Sequence, residues 1–254
     1  YDQVIEDNII NELSSELIED SNYLSRRKNI SQFNKENKYL KKGLAFSPVK
    51  FGISFTTQLL NQAGALVSIY RDGSIHLNHG GTEMGQGLFI KVAQVVANEF
   101  GVDIERVKVS ATSTAKVPNT SPTAASSGSD LNGMAAREAC LRIKKNLTEF
   151  AVSHFSSSKE DVRFQDSMVI VENKKIPFNE FVSLAYLNRV ELFSNGFYKT
   201  PKIFFDAIKQ KGNPFYYYSY GACVSEVIVD CLTGEYKLLA VDILHDVRAY
   251  LNPA

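Results

Sequence analysis

Residues 65–100 read ALVSIYRDGSIHLNHGGTEMGQGLFIKVAQVVANEF, and three patterns follow one another in this stretch. Two short strand-like runs come first, separated by Arg71-Asp-Gly73, and an Asp-Gly pair between such runs is a strong signal for a β-hairpin. The second run ends at His79 and alternates apolar with polar residues, as a half-buried strand does. From Leu88 to Phe100 the apolar residues recur at helical spacing instead. The stretch predicts a hairpin, a loop and an α-helix in succession.

The loop between the hairpin and the helix is Gly80-Gly-Thr-Glu-Met-Gly-Gln-Gly87. Its four glycines leave backbone N–H groups unobstructed, and the N-terminus of the following helix adds a partial positive charge. Such a loop could hold an anion or a polar ring system. It contains neither the Gly-Lys-Ser/Thr of a phosphate-binding loop nor the GxGxxG glycine spacing of a dinucleotide site. On these grounds alone, a tight structural turn is an equally good interpretation.

A second candidate loop covers Thr112–Gly128, which is built almost entirely from Thr, Ser, Ala, Pro and Asn. It lies between a predicted strand at 107–110 and a long helical pattern from about Asp130 to Phe155. The composition alone suits a flexible linker, whereas the position suits an ordered binding loop whose small residues let the backbone approach a ligand. A surface loop ending in a helix cap at Ser129 or Asp130 explains the same residues.

A third candidate segment precedes the hairpin and reads FGISFTTQLLNQAG over residues 51–64. In it, Phe55 and Thr56 could offer a stacking face and a hydroxyl group to a heteroaromatic substrate. On these residues alone, an ordinary core position is the favoured interpretation of Phe55.

The composition excludes some classes of partner. The chain has 254 residues, with 28 Lys+Arg and 28 Asp+Glu, so it carries no electrostatic footprint for nucleic acid or an anionic membrane. No apolar run approaches the roughly 20 residues that a membrane span needs. The cysteines, Cys140, Cys223 and Cys231, form neither a CxxC pair nor a zinc-finger spacing, which favours a reducing compartment. Because the chain begins with Tyr1 and an acidic stretch, we expect a piece of a longer protein without a signal peptide here.

The rest of the chain mixes helical and strand patterns. The predicted helices are one helix or a helix pair within residues 1–24, a charged helix over 26–42 and a helix over 179–187. The predicted strands and loops are a weak hairpin at 169–177, an aromatic loop at 214–220 and a strong hairpin of 222–229 with 235–244. Since hairpins rather than βαβ units join the strands, the fold class is α+β, with mixed helices and hairpin-rich sheets.

Three motifs in order along the chain carry a family resemblance. FGISFT with NQAGAL lies at 51–66, GGTEMGQG at 80–87, and VPNTSPTAAS at 117–126 with DLNG at 130–133. In order and separation they resemble the molybdenum-binding region of xanthine dehydrogenases, within the aldehyde oxidase/xanthine dehydrogenase molybdopterin-binding domain. The likeness covers essentially the whole chain and is weak only near 156–174.

The resemblance implies an enzyme that hydroxylates hypoxanthine and xanthine to urate at molybdenum held by a pterin cofactor. Electrons then pass to two 2Fe–2S clusters, FAD and NAD. It implies a cytoplasmic homodimer in which the purine and the iron–sulfur and FAD domains of the same polypeptide are the partners. The chain is expected to be a partial domain, inactive by itself. It divides into a helical segment (1–50), cofactor and substrate loops (51–155) and a second α+β lobe (156–254).

The resemblance also assigns individual residues by motif position. The residues that resemble the cofactor-binding set are Met84, Gly85, Gln86, Ser126, Ser127, Gly128 and Ser129. The residues that resemble the substrate-binding set are Phe55, Thr56, Leu60, Ala124 and Ala125. The chain departs from the family at Thr57-Gln58, where a more apolar, proline-containing pair is usual, and at Ser127-Gly128.

No catalytic residue and no direct metal ligand are expected in this chain. In the family the catalytic base is a glutamate that lies beyond the position of Ala254. Glu83 is expected to be structural, hydrogen-bonding its own loop, and the four histidines receive no functional role.

Two alternatives remain open. An aldehyde oxidase shares the fold, cofactor and mechanism, although Phe55-Thr56 and Thr120–Ala125 favour the purine enzyme. A non-catalytic binding module could keep the fold and lose the chemistry, and the retained Gln86 and pocket alanines speak against it.

Overall fold

The computed structural model describes residues 2–117, 119–247 and 251. Its helices are α1 (Ile10–Asp20), α2 (Tyr23–Glu36), α3 (Leu88–Phe100), α4 (Gly128–Phe155) and α5 (Phe178–Leu187). Its strands are β1 (Leu40–Ile53), β2 (Gln62–Ile69), β3 (Ile75–His79), β4 (Val107–Val109), β5 (Val162–Gln165), β6 (Met168–Val171), β7 (Lys174–Pro177), β8 (Phe193–Lys199), β9 (Phe204–Asp206), β10 (Lys211–Asn213), β11 (Tyr217–Asp230) and β12 (Tyr236–Asp246). Helices combined with mainly antiparallel sheets confirm the α+β class.

Two compact units make up the described chain. The first takes the residues up to Ile53 and those from Phe215 to Val247, and the second takes Ser54–Pro214 with Leu251. This grouping differs from the three-part division made from the sequence. Residues 1–50 share a unit with the C-terminal hairpin, and 156–214 belong with the candidate loops. The reason is strand pairing over a long sequence separation, since β1 pairs with β11 along its whole length.

The first unit is a three-stranded antiparallel sheet, in the order β1-β11-β12, with α1 and α2 packed on one face. Leu13 and Leu17 of α1 are buried against Ala222 and Val224 of β11. Burial of such side chains contributes about 1.5–3 kcal/mol each. The predicted hairpin at 222–244 is confirmed as the pairing of β11 with β12.

A charged cluster fastens α2 to the same sheet. The Arg26 guanidinium contacts Glu226 at 3.0 Å and Asp242 at 2.6 Å, and Lys42 contacts Glu226 at 3.4 Å. The hydrogen bonds that Arg26 donates to Asp242 and to Glu226 raise the pKa of Arg26 above its ordinary value despite partial burial.

Two predictions for this unit are wrong. The charged segment 26–42 is helical only to Glu36, and its last residues begin β1. The aromatic residues 217–220, predicted as a loop, begin β11. Pro48 lies within β1 without breaking it, because β1 is the edge strand and its outer side needs no N–H donor.

The second unit contains a four-stranded sheet in the order β4-β3-β2-β8, covered by α3 and α4. The predicted hairpin is confirmed as β2 paired with β3. In its turn, Asp72 Oδ1 accepts hydrogen bonds from the Ser74 hydroxyl at 2.6 Å and the Ser74 N–H at 2.9 Å, which hold the pKa of Asp72 below its ordinary value. Gly73 supplies the left-handed backbone, with φ of +82°.

Close backbone packing holds α4 against β8. A Cβ atom on Gly196 of β8 would lie 1.9 Å from the Ala135 carbonyl oxygen of α4. Only glycine therefore permits this approach between strand and helix.

The remaining parts of the second unit are a small sheet, β5-β6-β7, followed by α5, and a two-stranded sheet, β10-β9. The weak hairpin at 169–177 is confirmed as β6 with β7, and β5 is an additional strand that the sequence analysis missed. The helix over 179–187 is confirmed as α5. Among all described residues, the helices are too short or too polar to cross a membrane.

Candidate functional site

Residues 80–87, called the glycine loop below, are organised by one carboxylate. Glu83 Oε1 accepts the N–H groups of Gly85 at 2.9 Å and Gly87 at 3.0 Å, and Oε2 accepts the N–H of Phe89 at 3.0 Å. These donors, with Phe89 the strongest, lower the pKa of Glu83 below its ordinary value. The prediction that Glu83 hydrogen-bonds its own loop is confirmed. Because Gly87 and Phe89 flank the first residue of α3, the same carboxylate serves the N-terminus of that helix.

Gln86 closes the glycine loop from the other side. Its Oε1 accepts the Met84 N–H at 2.6 Å, and its Nε2 donates to the Thr82 carbonyl at 2.9 Å. Met84, Gly85 and Gln86 are all exposed. These predicted cofactor-binding residues therefore form an open surface whose backbone is held in one conformation.

Residues 119–127, called the serine loop below, adopt an unusual backbone. Asn119, Ala125 and Ser126 have φ of 57°, 53° and 53°, in the left-handed region that L residues rarely adopt. Ser127 is buried, and its hydroxyl donates to the Ala124 carbonyl at 3.1 Å. The loop is therefore an ordered structure rather than a linker.

The serine loop leads directly into α4. Gly128 is the first residue of this helix, and the N-cap residue Ser127 makes no side-chain cap hydrogen bond. The first N–H groups of an α-helix have no partner inside the helix and carry its positive dipole end. Gly128 and Ser129, both predicted cofactor-binding residues, lie in this turn and are half-buried.

The glycine and serine loops lie against each other. The Thr82 N–H donates to Thr123 Oγ1 at 2.8 Å. A Cβ atom on Gly80 would lie 1.9 Å from Thr120 Oγ1, and one on Gly128 would lie 3.5 Å from a methyl group of Leu88. The N-termini of α3 and α4 are thus neighbours, with the two loops in front of them.

The third predicted segment reaches the serine loop as well. The Ser54 N–H donates to the Ala125 carbonyl at 3.5 Å. Further along, the Ser121 hydroxyl donates to the Gln62 carbonyl at 3.0 Å. Ala125 is half-buried and Ala124 is exposed, so the two predicted substrate-binding alanines line a surface rather than a core.

A buried asparagine shapes the predicted substrate segment. Asn61 Oδ1 accepts the Phe55 N–H at 2.8 Å, and Asn61 Nδ2 donates to the Phe55 carbonyl at 2.9 Å. Phe55 and Leu60 are half-buried and Thr56 is exposed. The structure thus places the third motif, from Ser54 onwards, in the same region of the second unit as the other two motifs.

His79 lies beneath the glycine loop. Its Nδ1 accepts the Gly81 N–H at 3.1 Å, and its ring meets Phe89 edge-on with centroids 5.1 Å apart. Burial lowers the pKa of His79 to about 4, against smaller opposing effects of the Asn132 amide and Glu83. The imidazole is therefore neutral near pH 7.

Sequence analysis missed Asn61, His79 and the Thr82–Thr123 bond. For His79 a signal was present: it continues by two positions the alternation of the buried residues Ile75 and Leu77. Extended by one step, that pattern places an imidazole on the buried face. For the Thr82–Thr123 bond, nothing local in either loop predicts the contact.

The sequence pattern of one known family matches most of this chain. The sequence pattern of the family described as the molybdopterin cofactor-binding domain matches residues 16–254. The chain belongs to this family. The two loops and the segment around Phe55 are therefore features of a molybdopterin cofactor-binding domain.

Xanthine dehydrogenases are close relatives of this molybdopterin cofactor-binding domain. The chain is 44% identical over 254 residues to the xanthine dehydrogenase/oxidase of Gallus gallus, covering 100% of this chain and 17% of that protein. It is 47% identical over 239 residues to the xanthine dehydrogenase/oxidase of Felis catus, covering 94% of this chain and 16% of that protein. The chain thus spans about a sixth of the length of the curated relatives that it matches.

A solved structure shares the fold of this domain. Quinoline 2-oxidoreductase from Pseudomonas putida 86 superposes with a TM-score of 0.80 at 21% identity, covering 99% of this chain and 32% of that one. Among the described residues, no three His, Cys, Asp or Glu side chains are grouped to hold a metal ion.

Proposed function

We propose that this chain forms part of the molybdopterin pocket of a xanthine dehydrogenase, a molybdenum hydroxylase that converts hypoxanthine and xanthine to urate. The observation that carries the proposal is the Thr82–Thr123 hydrogen bond of 2.8 Å, which joins the glycine and serine loops. The Ser54–Ala125 contact adds the substrate segment to the same region. Identity above 40% to xanthine dehydrogenases over the whole chain supports the choice of enzyme.

The residues present fit a molybdenum–pterin group. An anionic phosphate suits the first turn of α4, whose N-cap residue Ser127 makes no side-chain cap hydrogen bond. The α3 N-terminus is already served by the Glu83 carboxylate, so an added anion there would meet a like charge. A Cβ atom on Gly85 would have no heavy atom within 4 Å, so space for a polar ring system lies open over the loop.

In this proposal each predicted residue has a physical task. On one side, the pterin is bound by Gln86 and by the backbone of Met84 and Gly85. On the other side, it is bound by Ser126 and Ser127 of the serine loop and by Gly128 and Ser129 of the first turn of α4. Gln86 holds its loop through two hydrogen bonds, which leave the second Nε2–H and one Oε1 lone pair for a ligand. When bound, the group supplies the redox chemistry and the reactive oxygen.

The purine would lie between the substrate segment and the serine loop. Phe55 packs against its ring, Thr56 donates a hydroxyl hydrogen bond, and Leu60 forms an apolar wall. Ala124 and Ala125 leave room for a flat ligand, because larger side chains would fill that space. Asn61 fixes the backbone of Phe55 through two hydrogen bonds and so orients the pair Phe55-Thr56.

The remaining parts of the reaction belong to other segments of the proposed enzyme. These are the catalytic base, two 2Fe–2S clusters, FAD and the NAD site, in a cytoplasmic homodimer. We therefore expect the 254-residue chain by itself to produce no urate.

Expression of the complete gene tests the proposal. Purified protein is expected to contain molybdenum and pterin and to oxidise xanthine, measured as urate absorbance, while aldehydes are poor substrates. Oxidation of aldehydes with no action on xanthine would indicate an aldehyde oxidase. Folded protein without molybdenum and pterin would favour a non-catalytic module and contradict the proposal.

A pocket variant tests the substrate assignment separately. Ala124→Leu is expected to raise the KM for xanthine at least about tenfold, at unchanged molybdenum content, since a larger side chain occupies the purine space. Ala115→Leu introduces the same change at another exposed position and is the matched control. Equal KM values for both variants would remove Ala124 from the substrate site.

A further inference from the structure

We infer that His79 is a positioning residue that sets the glycine loop against the first turn of α4, and thereby the width of the cofactor site. The inference rests on the proposed function, because it concerns the two sides of that same site. His79 itself is 1% exposed.

The first step in the argument is the hydrogen bond to Gly81. Because the Gly81 N–H points at Nδ1, that nitrogen must keep its lone pair, and the ring proton lies on Nε2. A neutral imidazole in this one tautomer therefore fixes the backbone at the base of the glycine loop. The Thr112 hydroxyl donates to the Gly81 carbonyl at 2.7 Å and holds the other side of the same residue.

The second step leads from Gly81 to α4. A Cβ atom on Gly81 would lie 2.7 Å from Asn132 Nδ2, so the loop backbone and this amide are in direct contact. Asn132 Nδ2 in turn donates to the Gly128 carbonyl at 2.8 Å. Asn132 is itself buried, at 6% exposure. A continuous series of contacts thus runs from His79 of β3 through Gly81 and Asn132 to Gly128, the first residue of α4.

The third step concerns the far side of the ring. Nε2 is buried and makes no hydrogen bond of good geometry among the described residues, although the Asn132 side chain interacts with the ring. A buried donor left unpaired costs about 1–3 kcal/mol. An apolar residue would avoid this cost, so the imidazole is a poor choice for core packing alone and a good one for presenting Nδ1 to Gly81.

The test compares three variants in the protein expressed from its complete gene. In His79→Asn, the Oδ1 atom can replace Nδ1 as acceptor for the Gly81 N–H. His79→Leu has similar size and no acceptor. His76→Leu makes the same change on the opposite face of β3 and serves as control. The measurements are bound molybdenum per folded chain, its rate of release into a chelator, and amide hydrogen exchange at Gly81.

His79→Leu is expected to release molybdenum at least about tenfold faster than the wild type. Loss of a residue that orients the groups around a bound metal typically weakens metal binding by about that factor. His79→Asn and His76→Leu are expected to stay within about twofold of it. If His79→Leu does not fold, His79→Gln replaces it, since its amide reaches the position of Nε2 and leaves Gly81 without its acceptor.

Three results would overturn the inference. One is wild-type release from His79→Leu, and another is release from His79→Asn as fast as from His79→Leu. The third is faster molybdenum release without faster exchange at Gly81. A folded wild-type protein without molybdenum would instead contradict the proposed function, and the inference with it.

Discussion

The glycine loop and the serine loop face the same site but are held in different ways. The glycine loop is held largely from within, since Glu83 and Gln86 bind five backbone groups of the segment 82–89. The serine loop contains the Ser127–Ala124 hydrogen bond and is also held by its neighbours: Thr123 meets the glycine loop and Ser121 meets Gln62. It also keeps left-handed backbone at non-glycine residues, which costs roughly 1–2 kcal/mol each.

This difference assigns separate roles to the loops. A loop held by its own side chains keeps its conformation when the neighbouring loop moves. A loop held by contacts with neighbouring segments moves with those segments. The serine loop is therefore the adjustable side of the site and the glycine loop the fixed side. Four changes test this distinction, and we order them by expected effect.

The largest effect is expected at the contact between the loops. Gly80→Ala places a Cβ atom 1.9 Å from Thr120 Oγ1, so the loops must separate, at a cost of about 3 kcal/mol. Urea unfolding of the chain measures it. The double variant Gly80→Ala with Thr120→Gly removes the clashing side chain and is expected to recover most of the loss. No recovery would show that Gly80 acts through its own backbone alone.

The second effect concerns the carboxylate that organises the fixed loop. Backbone N–H donors hold the pKa of Glu83 below its ordinary 4.5, so its stabilising contribution is complete above that pH. It is lost as pH falls through the lower folded-state pKa. Glu83→Gln keeps an oxygen for Gly85 and Gly87 and loses the acceptor for Phe89. We expect thermal unfolding of the variant to have a lower midpoint at pH 7, and that midpoint to depend less on pH below 4.5.

Thermal unfolding of the wild type, measured at the same pH values, provides the reference for Glu83→Gln. If the variant retained the wild-type slope, the acid sensitivity would belong to other carboxylates. The fixed loop would then not depend on the charge of Glu83.

The third effect tests the bond that joins the loops. Thr123→Val has nearly the same shape and lacks the acceptor for the Thr82 N–H, which costs about 1 kcal/mol. Faster amide exchange at Thr82, with unchanged exchange at Gly85, would agree with a self-supporting glycine loop. Thr123→Ser retains the hydroxyl and is expected to match the wild type. Faster exchange throughout 82–89 would contradict the distinction.

The smallest effect is expected from relief of backbone strain in the serine loop. Ala125→Gly removes about 1 kcal/mol of left-handed strain and adds a similar entropy to the unfolded chain, so the net change is within about 0.5 kcal/mol. Ala124→Gly has no such strain to relieve and is expected to destabilise by about 0.5–1 kcal/mol. Equal unfolding free energies for the two variants would indicate that Ala125 is not strained.

Local patterns predicted those parts of the fold that depend on neighbours in the chain. The turn at Asp72-Gly73 and the helix following Gly128 need only adjacent residues, and both were predicted. Pairing of β1 with β11 joins segments far apart in the chain, such as Leu40 with Asp230, and no local pattern encodes it. For this reason the sequence predicted a helix throughout the charged segment 26–42. It likewise predicted a loop at the aromatic residues 217–220.

The candidate site divides in the same way. Glu83 precedes glycine N–H groups and a helix start, so its structural role was predictable from the residues alone. His79 has the pattern of any buried strand residue, and only the coordinates reveal its contact with Gly81. The cofactor and purine assignments came from the order of the three motifs, since loop composition alone left linker and binding loop equally plausible.

The glycine at position 196 has a consequence for how loss-of-function variants of this domain are interpreted. The bare backbone at this position lets α4 lie directly on β8, and any side chain would push the helix along or away from the strand. Gly128, which opens that helix, would shift with it. A substitution at Gly196 would then show up as poor cofactor retention in a protein whose pocket residues are all intact. Screens that sort loss-of-function variants by distance from the pocket would misclassify it.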